Sequence, residues 1–340
     1  MPVADGTEPV RRKNIRRYLT TEFYLFLFLL LLLAFLRVFA GGFYTQNNVM
    51  SMLNTFSYML IASIGMNLII ITSNIDVSTG ALISAVCITL AAVGKLGVGI
   101  WGLLPVAMLA GMALSFVNAL FITKMKIPAI VATLATSQIF AGVLPLVVAG
   151  SIYDLPASFT WLSFDAKIHG FPASVPMMLI IAAVAMLFMR FSKFSKKLYA
   201  VGNNMEGARL AGIDVNRVII RAYVIAGALF GITATIIATA SQRVTTTMGS
   251  GMEMKFIAAV VLGGTSISGG SGKISGTIIG ALILAIIAPA TNYLGISSDW
   301  SNAIMGAIII VAVVIAAMRY VRVRNSREAA AAPVKEGGRV

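Results

Sequence analysis

Residues 23–36 read Phe-Tyr-Leu-Phe-Leu-Phe-Leu-Leu-Leu-Leu-Leu-Ala-Phe-Leu, without a single charge. A helix of this composition is apolar all round, and such a helix sits in a large core or in lipid. Taken to its limits at about residues 22–40, the run meets the roughly 20 residues that a bilayer's hydrocarbon thickness demands. Arg11, Arg12, Lys13, Arg16 and Arg17 precede it, as they would in a secretory signal. The apolar run is longer than a signal's and no small-x-small cleavage site follows, so it reads as an uncleaved first span with its N-terminus inside.

The rest of the chain repeats the pattern. Of its 340 residues 59% are hydrophobic and only 11% charged, with a mean hydropathy of +0.92. Soluble domains carry about 25% charged residues and clothe themselves in them; this chain has lipid as its solvent. Apolar windows bounded by charge, Gly or Pro fall at approximately 22–40, 49–72, 77–95, 99–122, 129–150, 174–191, 218–240, 255–268, 274–293 and 301–318, uncertain by roughly 2–4 residues at each edge. The expected class is all-α: a polytopic membrane protein of about ten transmembrane helices.

Charge placement supplies an independent check, because basic loops stay on the cytoplasmic side while helices alternate direction. Starting inside, Lys124 and Lys126 fall inside after four spans. Arg190, Lys193, Lys196, Lys197, Arg209, Arg217 and Arg221 fall inside around the connection after six, and Arg319, Arg322, Arg324 and Arg327 after ten. The count of ten puts both termini in the cytoplasm, with a basic N-terminus at 1–21, a membrane domain at 22–318 and a basic, solvated tail at 319–340. It also accounts for the net charge of +14 without a nucleic-acid partner. Cys87 is the only cysteine and can form no internal disulfide; it reads as an inert helix residue. The longest outside loop, Gly150 to Val175, carries Tyr153, Asp154, Pro156, Phe159, Trp161, Asp165, Lys167 and His169. It reads either as a lid or docking surface or as an ordinary connection.

The cytoplasmic loop at about 192–217 is the most informative soluble piece. Gly202-Asn203-Asn204-Met205-Glu206-Gly207-Ala208-Arg209-Leu210-Ala211-Gly212-Ile213-Asp214 lies at its centre. Asn203 or Asn204 can cap a helix, Glu206 then sits in the first turn where the macrodipole favours an anion, and Gly212 ends it. So short a helix is unstable alone in water, and is expected to dock against something.

This loop resembles the Glu-Ala-Ala and downstream Gly coupling motif of ABC transporter permeases, with Glu206, Ala208 and Gly212 in matching places and Gly207 interrupting the Glu-Ala-Ala pattern. Three further stretches look like landmarks of the ribose-type sugar permeases: Asn74-Ile75-Asp76-Val77-Ser78; Ile127-Pro128-Ala129-Ile130-Val131-Ala132-Thr133-Leu134; and Ala259-Val260-Val261-Leu262-Gly263-Gly264-Thr265-Ser266 followed by Gly269-Gly270-Ser271-Gly272. The likeness runs from the first basic cluster to the last span. It implies a permease subunit of an importer in the inner membrane, working with a cytoplasmic ATP-binding subunit, an external substrate-binding protein and a second permease subunit, identical or homologous. It also implies that Glu206, Ala208, Arg209 and Gly212 couple the membrane domain to the ATPase, and that the cargo is a monosaccharide or sugar-like small molecule.

The Gly-rich block invites a different reading. A phosphate loop requires G-x-x-x-x-G-K-[ST], but Ile267 stands where the first Gly belongs and Ile274 follows Lys273. Gly263, Gly264, Gly269 and Gly270 are better explained by helix breaking and close backbone approach. Asp76 is the sharpest polar residue in the apolar zone. It reads as a helix cap with Ser78 and Thr79, or as the coupling carboxylate of a stand-alone secondary transporter or channel. Asn54, Asn67, Asn118, Thr133, Thr136, Gln138 and Asn292 are available to line a pathway or to join helices. With one Cys, one His, no metal-ligand spacing and no nucleophile elbow, the chain shows no catalytic set, metal site or cofactor motif.

Overall fold

The computed structural model describes residues 21–297 except 149, 154, 156–158, 160–166, 169 and 242, with scattered positions beyond 297. Eleven helices are present among the described residues. In order they are α1 (Thr21–Phe39), α2 (Gln46–Ile71), α3 (Thr79–Lys95), α4 (Ile100–Thr123), α5 (Ala129–Val147), α6 (Ser174–Phe191), α7 (Lys193–Asn203), α8 (Met205–Leu210), α9 (Val215–Ala240), α10 (Met252–Leu262) and α11 (Ile274–Tyr293). Two small antiparallel ladders accompany them. β1 (Ser151–Ile152) pairs with β4 (Val244–Thr245), and β2 (Lys167–Ile168) with β3 (Phe171–Pro172).

Seven of the helices are long and apolar enough to cross a membrane: α1, α2, α4, α5, α6, α9 and α11. Eight of the ten apolar windows coincide with a helix of matching extent. Most of the tenth lies outside the described residues, as do both basic termini and Asp154, Pro156, Trp161, Asp165 and His169 of the long loop. The window at 255–268 differs. Its helix, α10, has 11 residues and is about 16 Å long, half the ~30 Å hydrocarbon thickness. It stops because Gly264 is left-handed (φ +89°), a turn that releases the chain from the helix.

Two pairings of helices make the frame. On α4, Ala107, Gly111 and Ser115 recur every fourth residue, as do Gly227 and Gly231 on α9. A Cβ at Gly111 would meet the Gly227 carbonyl oxygen, and one at Gly231 that of Ala107. The α10–α11 pair uses the same device: a Cβ at Gly276 would meet the Gly263 carbonyl, and one at Gly280 that of Ala259. Small residues at four-residue spacing bring backbones into contact, which is how helices associate where lipid removes the hydrophobic driving force. α2 and α9 are buried over most of their length, whereas α1, α5 and α6 bury only a strip.

Two stretches inside this frame are not helical. Residues 72–78 join α2 to α3, and all but Ser73 and Ile75 are buried. Residues 241–251 run from the end of α9 through β4 to α10.

Candidate functional site

At one end of the bundle α7 and α8 form the connection between α6 and α9. Ser192 starts α7 by accepting the Ser195 N–H on Oγ (3.0 Å). The lysines at 193, 196 and 197 are exposed while Leu198 and Val201 are buried, so the helix lies amphipathically on the bundle. Asn204 caps α8, its Oδ1 accepting the Gly207 N–H at 2.9 Å. Glu206 and Arg209 pair at 3.1 Å with side chains 79% and 49% exposed. Ala208 is buried, but Leu210 is 90% exposed. Gly212 ends the helix at φ +76°. Its N–H reaches the Arg209 carbonyl, and the Ile213 N–H reaches that of Ala208, both at 2.9 Å. Asp214 opens α9 by capping the Arg217 N–H.

A knot of backbone contacts ties this loop to two other segments. Ser73, left-handed at φ 62°, has its hydroxyl within hydrogen-bond reach of the Gly202 carbonyl (3.0 Å) and the Ser268 carbonyl (2.8 Å). It carries one proton for two acceptors. The Gly270 N–H donates to the Ile71 carbonyl at 2.9 Å. Tyr199 donates its hydroxyl to the Gly272 carbonyl at 2.7 Å, and burial pushes its phenol pKa up. Side chains would not fit: a Cβ at Gly202 would meet the Ile71 carbonyl, at Gly269 the Ser73 hydroxyl, and at Gly270 the Asn203 backbone. Lys273, the would-be phosphate lysine, pairs with Glu22 of α1 at 3.1 Å.

Deeper in the bundle the two non-helical stretches lead to neighbouring places. The Gly249 N–H donates to Ser84 Oγ, one and a half turns into α3, at 2.9 Å, and a Cβ at either Gly80 or Gly249 would meet the other's carbonyl oxygen. From there α10 runs about 16 Å toward the glycine block. Beside Gly249 stands Glu253 in the first turn of α10, half-buried. No motif in the sequence singles out this residue. The available signal was a carboxylate and the run Thr245-Thr246-Thr247 inside an apolar region.

Asp76 is fully buried. Its Oδ1 accepts the Ser78 N–H (2.8 Å) and hydroxyl (2.6 Å), which turns the chain into α3; Oδ2 has no partner among the described residues. Asn118 donates to Ser78 Oγ at 2.7 Å. Thr133 Oγ1 accepts the Val77 N–H at 3.1 Å, and Thr136 donates to the Thr133 carbonyl at 3.1 Å. Asn67 donates to Thr265 (3.3 Å) and Thr277, joining α2 to the glycine block and α11. Asn54 accepts from Ser174 at 2.6 Å, joining α2 to α6. These amides and hydroxyls hold the bundle together, whereas Gln138 on α5 and Asn292 on α11 are exposed.

The family model described as branched-chain amino acid transport system / permease component matches residues 48–313. The chain belongs to this permease family. The ribose import permease protein RbsC of Escherichia coli K12 is 32% identical to the permease over 309 residues, 88% of this chain and 96% of that one. The autoinducer 2 import system permease protein LsrC of Yersinia enterocolitica is 32% identical over 283 residues, covering 83% and 78%. No solved structure matches. The permease is thus a multi-pass protein of the inner membrane and a transport subunit rather than an enzyme, and its type is that of the ribose-type sugar permeases.

Proposed function

We propose that this permease forms half of the translocation pathway of an ATP-driven importer for a monosaccharide or sugar-like small molecule, and that α8 is the helix on which a separate ATPase subunit acts. The observation that carries the reading is Leu210: an apolar side chain 90% exposed at the tip of a six-residue helix whose Ala208 faces inward and whose Glu206–Arg209 pair faces out. An exposed apolar anchor rimmed by charge suits a protein partner, and so short a helix gains its stability from being docked. The polyhydroxylated cargo is supported by the names of the relatives, ribose and autoinducer 2.

In this reading the α7–α8 end is cytoplasmic and both termini lie on that side. The ten crossings occupy 22–318 between the basic segments 1–21 and 319–340, and the eighth crossing combines α10 with residues 244–251. An external binding protein delivers cargo at the opposite end, and a second permease subunit closes the pathway, with Gln138 on the exposed face of α5 as one lining candidate.

The test is D-ribose uptake into sealed vesicles with the ATPase subunit present, absent or inactivated. Uptake that survives without the ATPase and collapses with a protonophore defeats the proposal and favours a secondary transporter built on Asp76. Leu210→Asp narrows the test: it should release the ATPase subunit while leaving the permease in the membrane.

A further inference from the structure

Residues 244–255 lead from β4, paired with β1 beyond the end of α5, into the first turn of α10, and they present an open polar face. Thr247 and Ser250 are exposed, and Thr245, Thr246, Glu253 and Lys255 are half-buried, whereas Val244, Gly249 and Phe256 turn into the bundle. The backbone between β4 and α10 lacks a helical ladder, and it carries a row of hydroxyls that are costly to set against hydrocarbon. Within a membrane domain such a stretch occurs only where it is covered by protein or lines water.

The floor of the place is a close backbone approach. Any side chain at Gly80 would meet the Glu253 carboxylate and the Gly249 carbonyl. Glu253 itself stands half-buried in the first turn of α10, where the start of the helix favours an anion. A carboxylate accepts from two neighbouring hydroxyls at once, and flanking threonine and serine hydroxyls both donate and accept. That combination matches an uncharged solute carrying several hydroxyl groups.

We infer that residues 245–253 form the cargo-contacting wall of the pathway, with Glu253 as the acceptor for hydroxyl groups of the solute; the inference rests on the transport reading above but not on the role of α8. Cys87 is the only cysteine and is buried, so the intact permease in membranes can be probed with single cysteines. Thr247→Cys and Ser250→Cys should react with a membrane-impermeant methanethiosulfonate at least about tenfold faster than Leu187→Cys, which lies exposed on the apolar face of α6. Glu253→Gln keeps the shape and loses the anionic acceptor; D-ribose uptake by the assembled importer should fall about tenfold or more while ATP hydrolysis continues. Labelling no faster than at Leu187 would place the wall against lipid or another chain and overturn the inference, as would normal uptake by both Glu253→Gln and Glu253→Ala. Labelling needs no ATPase. Rapid labelling combined with ATPase-independent uptake would therefore sink the importer reading and leave the wall standing.

Discussion

Replacing Gly212 tests the loop at its most sensitive point. The residue sits at φ +76° with nothing within 4 Å of where a Cβ would go, so a substitution acts through the backbone alone. An alanine in the left-handed region costs roughly 1–2 kcal/mol, and asparagine, which visits that region more readily, costs less. Proline cannot reach this φ and also removes the N–H that donates to the Arg209 carbonyl at 2.9 Å, together costing about 3 kcal/mol or more. α8 has six residues and no stability of its own to absorb such losses, since its first turn is already costly to nucleate. A loss of 1–2 kcal/mol therefore changes the population of formed α8 about 5–30-fold. Uptake of D-ribose per ATP hydrolysed, measured on reconstituted importer, should fall in the order Gly, Asn, Ala, Pro, with ATPase co-purification falling alongside. If the alanine and proline variants both stay within about twofold of the native protein, the formed helix is not what couples the subunits, and the argument from its cap fails.

Three further outcomes follow from the packing. Gly231→Ala forces a methyl against the Ala107 backbone and should destabilise by about 1–3 kcal/mol, read as a lower unfolding midpoint in detergent. Gly142→Ala, with open space around it, should not lower it; equal midpoints for the two would refute the crossing. Asp76→Asn preserves an acceptor for Ser78 and should keep ATP-driven uptake, whereas Asp76→Ala strands two buried donors at a cost of about 1–3 kcal/mol and should reduce the amount of folded protein. An Asp76→Asn variant that folds but has lost uptake would instead make the carboxylate itself essential. Ser73→Ala and Tyr199→Phe each delete one hydroxyl from the knot with little change of volume and should lower uptake per ATP by about 2–10-fold; unchanged values would show that the loop moves independently of the glycine block.

Hydropathy found the long helices because a span is a local property: twenty apolar residues are visible wherever the chain goes next. It misplaced the end of α10 because Val260, Val261, Leu262 and Ile267 keep the window apolar across Gly263 and Gly264, where the helix has already stopped. α7 escaped because its three lysines and two buried apolar residues average to nothing in particular; Ser192, three residues before Ser195, was the cue. The Asn204 cap and the Gly212 terminus were legible, since capping chemistry reads at fixed offsets. The knot was not. Ser73, Tyr199 and Gly272 lie far apart in the chain, and a tyrosine donating to a glycine carbonyl leaves no pattern in one sequence. The polar residues of the spans were visible as types, but whether Asn67 faces a pathway or Thr265 depends on the rotation of α2 about its axis.

Where α4 and α9 cross at Ala107, Gly111, Gly227 and Gly231, backbone meets backbone and little side-chain volume is left to repack. Such a seam does not yield by degrees: the two helices turn together as a single girder or come apart. The α10–α11 pair is a second girder of the same make. Any stroke that opens the bundle first to one side of the membrane and then to the other has to bend elsewhere, and 72–78, 241–251 and 263–273 are stretches inside the bundle without a helical hydrogen-bond ladder. Two of these joints carry Asp76 and lead to Glu253, so a change of torsion angles there would displace both carboxylates.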